Sequence, residues 1–356
     1  MAGLRSAIDH VAVARHAWAT LGDPRAIVTV EEASANVSTN RVYRVVLDDG
    51  TRLYTKVSNY GSYFLFAEDH DRIHRWNKEL STTRFRNLLA RSIELNGRVW
   101  TYYDGDVWAV FYNEVPLGQR LPRILDDAQI VNLAEEMALF HLQCSVVAPK
   151  IPFTSKSIKS DAITLFDQLT NPFSSGRFRF DPDELNMARR HCHDFLMTLD
   201  RLRYDDVPKI PVLIDWNLGN FSVAPIDPGS ERFRLLSRWD YDWFRIEPRS
   251  LDFYFLSRVS SQTGDRTAFT YSSHTLTEPR FVRFLQAYHR VHPLTEVEID
   301  LIAESYRFFI LNYVLREGDA FFMRDLSLKF MRDAVHVYLP EYERLDLRPL
   351  KDALLG

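Results

Sequence analysis

Leu213-Ile214-Asp215-Trp216-Asn217-Leu218-Gly219-Asn220-Phe221 is the stretch that decides how this chain is read. The apolar run Val212-Leu213-Ile214 delivers Asp215 into a turn, and Asn220 follows directly after Gly219, where the backbone can bend sharply. An Asp in a turn is by itself an ordinary turn former. A polar residue at the end of a short apolar strand is nevertheless well placed to face a cleft. A second run, Leu235-Leu236-Ser237-Arg238-Trp239-Asp240-Tyr241-Asp242-Trp243, sets another carboxylate after strand-like sequence. A carboxylate among such neighbours is costly unless it meets a metal ion or a partner.

These are the residue types that phosphoryl transfer from a nucleotide needs: one carboxylate to orient an attacking hydroxyl, then an Asn and a second carboxylate to hold Mg²⁺. Asp215 reads as the base that positions the acceptor hydroxyl. The amide oxygen of Asn220 and the carboxylate of Asp240 read as Mg²⁺ ligands, since this ion prefers oxygen and takes only one or two protein carboxylates. Asp242 lies one strand period from Asp240, on the same face, and competes with it. Asp240 is preferred, partly because Asp252 follows at a fixed remove in Pro248-Arg249-Ser250-Leu251-Asp252-Phe253. Asp252 reads as support from within a helix.

Outward from this unit the pattern divides. Residues 5–21 read as an amphipathic helix, and β-branched runs at Ile27–Val30, Val42–Leu47 and Leu53–Val57 as strands, the last two joined by Asp48-Asp49-Gly50. Residues 62–80 read as a helix with Leu65, Glu68, Arg72 or Ile73, Trp76 and Glu79 or Leu80 along one stripe. Val99–Tyr103, the turn Asp104-Gly105 and Val107–Val115 form another hairpin. Helical periodicity then dominates from about 128, over 184–202, 281–289, 296–315 and 324–337. The Pro-, Ser- and Gly-bearing segment 149–181 reads as flexible. The expected fold is α+β and two-lobed: an antiparallel, β-rich N-lobe over 1–115, a hinge near Asn113–Gly118, and a mostly helical C-lobe over 116–356 carrying the acidic site.

Lys56, mid-strand between apolar neighbours, could reach the α- and β-phosphates and pair with a carboxylate of the 62–80 helix. Glu68 and Glu79 share a face there, and Glu68 is preferred. Residues 33–43 lie where a phosphate loop belongs; the stretch holds no glycine, so its backbone N–H groups with Ser38 and Thr39 would cap the phosphates. The backbone of Asn113 to Val115, between the lobes, would meet the edge of an adenine. His191-Cys192-His193 looks like a metal cluster, but i and i+2 do not share a helix face.

With 356 residues, 46% of them hydrophobic, the chain can bury a large core. A formal net charge of −4 argues against bulk nucleic-acid binding. Two cysteines, Cys144 and Cys192, are too few for a disulfide framework and suit a reducing compartment. The first residues contain no apolar signal-peptide core, and no apolar run approaches the ~18 residues that span a bilayer. The expectation is a soluble, cytoplasmic protein.

These residues resemble the aminoglycoside phosphotransferase and choline kinase-like family of small-molecule kinases, which has the protein-kinase-like fold. The family's catalytic loop runs His-Gly-Asp, two or three variable residues, then Gly-Asn; here it is Leu213-Ile214-Asp215-Trp216-Asn217-Leu218-Gly219-Asn220. Its next motif, apolar-Asp-aromatic and then Asp-Leu about a dozen residues on, matches Trp239-Asp240-Tyr241 and Asp252-Phe253. In the N-lobe, Thr39-Asn40-Arg41-Val42-Tyr43 and Lys56 match a Ser-Asn, Val-Tyr strand and a strand lysine. The resemblance covers roughly residues 27 to 337. It implies ATP or GTP as co-substrate, Mg²⁺ on Asn220 and Asp240, Asp215 as base, Lys56 as phosphate anchor and a small polar molecule as hydroxyl acceptor. Two departures stand out. Leu213 replaces the motif histidine, so the loop must be braced otherwise, and the N-lobe loop lacks the family's glycines. A non-catalytic nucleotide- or ligand-binding pseudokinase is the alternative. A protein kinase ranks last, since no Ala-Pro-Glu segment is present.

Overall fold

The structure, a computed structural model, describes residues 8–34, 40–264, 271–322 and 324–356. Ser38 and Thr39 lie outside the described residues. Helix α1 (His10–Leu21) leads into strands β1 (Ile27–Glu32), β2 (Arg41–Leu47) and β3 (Arg52–Ser58). Gly50, at φ 80°, closes the β2–β3 turn, where the Leu47 N–H donates to the Thr51 carbonyl at 2.9 Å. Helix α2 (Tyr63–Leu80) follows, then β4 (Thr101–Tyr103) and β5 (Trp108–Asn113). The five strands form one antiparallel sheet in the order β1-β2-β3-β5-β4.

Period-two alternation divides this sheet. Leu53 and Val57 of β3, with Ala109 and Phe111 of β5, pack under Ala14, Ala17 and Trp18 of α1. Tyr54, Lys56 and Tyr112 therefore point the other way, into a cleft. Helix α2 does not share the core under α1. Its Ile73, Trp76 and Leu80 belong to the large core formed with the C-terminal helices.

The linker after β5 is sewn to the C-terminal part. Gln119 and Val223 exchange backbone hydrogen bonds at 2.8 and 2.9 Å, and the Ser237 hydroxyl donates to the Pro116 carbonyl at 2.6 Å. Gly118 is required by this approach, because a Cβ there would lie 2.3 Å from the Val223 carbonyl oxygen. Helix α3 (Asp127–Val147) starts at a capping box between Asp126 and Gln129. The segment read as flexible contains helix α4 (Ile158–Thr170), capped by Ser157 and burying Ile158, Ala162, Leu165 and Leu169. Its i, i+4, i+7, i+11 stripe outweighs the surrounding prolines and serines. The helix expected over 296–315 is α-helical from Glu296 to Phe309 and continues as π-turns through Arg316. Among the described residues no helix is long and apolar enough to cross a membrane.

Candidate active site

Two short antiparallel ribbons frame the site. β6 (Ile210–Val212) pairs with β9 (Arg245–Glu247), and β7 (Phe221–Pro225) pairs with β8 (Phe233–Arg238). Residues 213–220 connect β6 to β7, and residues 239–244 connect β8 to β9. Val212 lies opposite Arg245, and Phe221 opposite Arg238. The two motifs singled out in the sequence are thus paired crossings between the same two ribbons, which is why they meet.

Within the first crossing, the Asn220 amide N–H donates to the Asp215 carbonyl at 3.3 Å, leaving its side-chain oxygen without a partner among the described residues. The Trp239 N–H donates to the Asn220 carbonyl at 3.2 Å and ties the crossings together. Asp240 accepts from the Asp242 N–H at 3.1 Å. Burial and then the Asp240 charge push the Asp215 carboxyl up to about 6, against the opposing pull of Arg238. Burial and the Asp242 charge also raise Asp240, against the pull of Lys56. Asn220, Asp240 and Lys56 line one cleft of about 520 Å³, with Asn113 and Val115 at its hinge side. The donor set, one amide oxygen and one carboxylate facing open space, fits a hard cation that keeps waters and phosphate oxygens as its other ligands. Among the described residues no three His, Cys, Asp or Glu side chains cluster as a metal cage.

The partner of Lys56 differs from the one expected. Lys56 is buried and ion-paired with Asp242, not with a carboxylate of α2. Burial pulls the Lys56 ammonium down, yet the Asp242 and Asp240 charges outweigh it and the net shift is upward. Glu68 accepts instead from the Ser155 N–H at 2.8 Å and hydroxyl at 3.0 Å, and Glu79 pairs with Lys150 at 2.6 Å. Arg72 donates to the Phe153 carbonyl at 3.2 Å, and Lys156 pairs with Asp69. Residues 150–156 thus clamp α2 and consume both candidate carboxylates. The buried stripe of α2 runs through His70, Ile73, Asn77 and Leu80, and Leu65 is exposed. The expected stripe holds at Ile73, Trp76 and Leu80 but not at Leu65 and Glu68, and it is Asp69 and His70 whose charges interact with Lys56. The engagement of Asp242 leaves Asp240 as the carboxylate free for a cation.

Leu213, which stands where the resemblance noted in the sequence expects a histidine, has no polar side chain to brace the loop. Leu213 is fully buried in the core. The next residue, Ile214, has φ 61°, a left-handed conformation that a β-branched side chain adopts only under constraint. Its N–H donates to Asp252 Oδ1 at 2.6 Å. Asp252 Oδ2 lies 2.9 Å from His141 Nε2, and His141 Nδ1 lies 2.8 Å from the Tyr288 hydroxyl. Arg249 donates to that hydroxyl at 3.2 Å and pairs with Glu298 at 2.6 Å. A fully buried chain of polar groups therefore braces the loop from α3 and the helices behind it. Asp252 has the supporting role expected from its sequence, whereas His141 lies on the apolar stripe of α3 with Met137, Phe140 and Cys144. A histidine fully buried on an apolar stripe has to find partners, and that was the available signal.

Acidic residues of the helical part that could line an acidic acceptor pocket, Asp265, Glu278, Glu304, Glu317 and Asp319, are mostly engaged with partners of their own. Glu304 pairs with Arg307 at 2.6 Å, Glu317 with Arg316 at 2.8 Å and Glu278 with His274 at 3.2 Å, while Asp319 accepts from Ser327 at 2.6 Å. Asp265 lies outside the described residues.

No protein-family model and no curated protein matches the sequence. Among solved structures, an amicoumacin kinase in complex with AMP-PNP, Ca²⁺ and its antibiotic is similar over 95% of this chain and 100% of its own, with TM-score 0.60 and 13% identity. A microcompartment-associated aminopropanol kinase is similar over 97% and 99%, with TM-score 0.57 and 14% identity. A spectinomycin phosphotransferase in complex with ADP and spectinomycin is similar over 90% and 94%, with TM-score 0.52 and 14% identity. With its antiparallel N-terminal sheet, sewn hinge and helical C-terminal part, this chain has the kinase-like fold of these small-molecule phosphotransferases.

Proposed function

We propose that this protein is a cytoplasmic, Mg²⁺-dependent phosphotransferase that moves the γ-phosphate of ATP or GTP to a hydroxyl of a small polar molecule such as an aminoglycoside, a sugar or an amino alcohol. The observation that carries the reading is that Lys56, Asn220 and Asp240 line one cleft, with the buried Asp215 close enough to Asp240 for the two charges to interact. Asn113, Glu114 and Val115 line the same cleft, where a purine edge would lie; the Asn113 N–H is bonded to the Arg91 carbonyl at 2.8 Å, so that edge would meet the backbone of Glu114 and Val115. Lys56, held by Asp242, anchors the phosphates. Asn220 and Asp240 hold the ion, which when bound neutralises phosphate charge. Asp215 accepts a hydrogen bond from the acceptor hydroxyl and orients it for in-line attack, so catalysis is mostly positioning and charge stabilisation. The kinase activities of the neighbours in fold support the same reading.

The buried Asp252–His141 brace favours an active enzyme over a pseudokinase, because it fixes the loop that lost its histidine. The test is a coupled ADP-release screen against aminoglycosides, sugars, choline-like amines and homoserine. Turnover with one acceptor, lost in Asp215→Ala while Mg²⁺-ATP still raises the melting temperature, is the expected result. No transfer to any acceptor, with Asp215→Ala indistinguishable from the parent, would overturn it.

A further inference from the structure

Arg238 is a fully buried arginine at the point where the two crossings meet. Its Nη2 donates to the Asp215 carbonyl at 2.6 Å and to the Leu213 carbonyl at 3.4 Å; its Nε donates to the Asp240 carbonyl at 3.0 Å. The guanidinium lies over the Trp216 ring, 4.6 Å from its centroid. Arg238 is itself fixed, since its N–H donates to the Leu88 carbonyl at 2.7 Å and its carbonyl accepts from the Tyr241 hydroxyl. The strained turn at Ile214 points the Leu213 and Asp215 carbonyls inward, where they need donors. A planar fork of five N–H groups can reach carbonyls on two loops at once; an ammonium on a flexible stem cannot hold the same geometry.

We propose that Arg238 is a positioning residue that locks the acceptor-orienting loop to the metal-holding loop, fixing Asp215 relative to Asp240. The inference rests on the phosphotransferase reading. The side chain is placed to act through three backbone carbonyls, those of Leu213, Asp215 and Asp240, and not through contact with a reactant. Near-attack geometry tolerates little displacement: a shift of about 1 Å can lower turnover about 100-fold. Nucleotide contacts from Lys56 and the hinge do not run through Arg238 and are retained when it is replaced.

The experiment uses the full chain with Arg238→Lys and Arg238→Met, beside Asp215→Ala. With the acceptor found by the ADP-release screen, both Arg238 variants are expected to lose about 100-fold in kcat, with the KM for Mg²⁺-ATP within threefold of the parent. Amide hydrogen exchange is expected to rise at 213–220 and 239–242 and to stay unchanged in α3. Turnover kept within threefold in either variant overturns the proposal. So does faster exchange spread evenly over the C-terminal part, which marks general destabilisation. If the parent transfers phosphate to no acceptor, the phosphotransferase reading fails by itself. Exchange then decides the lock: unchanged protection at 213–220 in folded Arg238→Lys refutes it, and a selective rise at both crossings sustains it. If Arg238→Met does not fold, Arg238→Lys carries both readouts.

Discussion

Replacing Asp252 tests how the loop is held without its motif histidine. In Asp252→Ala two buried groups lose their partners at once: the Ile214 N–H, bonded at 2.6 Å, and His141 Nε2, bonded at 2.9 Å. Leaving a buried polar group unsatisfied costs about 1–3 kcal/mol, so the pair costs about 2–6 kcal/mol. Release of the left-handed strain at Ile214 returns about 1 kcal/mol as the turn relaxes. The net expectation is a loss of about 3 kcal/mol. Asp252→Asn behaves differently. Its oxygen still accepts from Ile214, and its amide donates to His141 Nε2 once the imidazole changes tautomer and donates to the Tyr288 hydroxyl instead. That variant is expected to lose about 1 kcal/mol, the scale of one weakened hydrogen bond. Urea unfolding of the three proteins gives the numbers directly, and equal m values show that the same surface is exposed in each. A loss below about 1 kcal/mol in Asp252→Ala would refute the brace. Equal losses in Ala and Asn would show that packing, not the hydrogen bonds, does the holding.

Two further outcomes follow from the partners the structure assigns. Glu68→Ala, which unties Ser155 and not Lys56, is expected to leave Mg²⁺-ATP affinity within twofold by calorimetry, whereas Asp242→Ala strands a buried ammonium and is expected to destabilise the fold by about 3–5 kcal/mol in urea. His70 is buried, and burial followed by the Lys56 charge holds its imidazole down at about 3, so the unfolded chain binds the extra proton between that value and the usual histidine range. Its contribution is complete above about 6.5 and is lost as pH falls, at up to about 1.4 kcal/mol per unit. A non-titrating His70→Asn protein is therefore expected to recover about 2 kcal/mol relative to the parent between pH 6.5 and 5 in urea melts, and parallel pH curves would contradict this.

The fold was legible where the hydrophobic period was unambiguous. The β2–β3 hairpin around Gly50, the helix before β4 and the helical C-terminal part were all readable from alternation and turn residues. Asp215 and Asp240 were legible as carboxylates just past apolar strands and Asn220 as a turn residue ahead of the next strand; the two ribbons bring the loops that carry them together. The partner of Lys56 was not. It depends on how the first turns of α2 sit, and there the stripe through Leu65 and Glu68 competes with one through His70 that joins the same Ile73, Trp76 and Leu80. The large core selects the second, because Ile73, Trp76 and Leu80 bury there and Leu65 does not. A difference of about one residue, ~100°, in the facing of these turns is enough to put Asp69 in place of Glu68 on the Lys56 side. The segment 149–181 misled for a related reason. Its prolines and serines mark turns, yet Ser157 is also a helix cap, and residues 150–156 find their partners on α2, far away in sequence.

Arg238 marks the limit of reading residues one at a time. In sequence it is one arginine ahead of Trp239, of the kind that most often lies on a surface. Its position at the end of β8, opposite Phe221, turns it inward beneath the turn that follows β6. Only the pairing of two ribbons nested within residues 210–247 defines the pocket that accepts a guanidinium there. The carboxylates that would act on substrate announce themselves through their apolar settings. The groups that set their spacing, Arg238 from below and Asp252 with His141 from behind, are defined by tertiary contacts alone. Two braces converge on the segment 213–215 from different elements, one cationic and one through an imidazole and a carboxylate. A left-handed β-branched residue persists at Ile214 because both sides of its turn are over-determined, and that constraint fixes the backbone from which the Asp215 side chain projects.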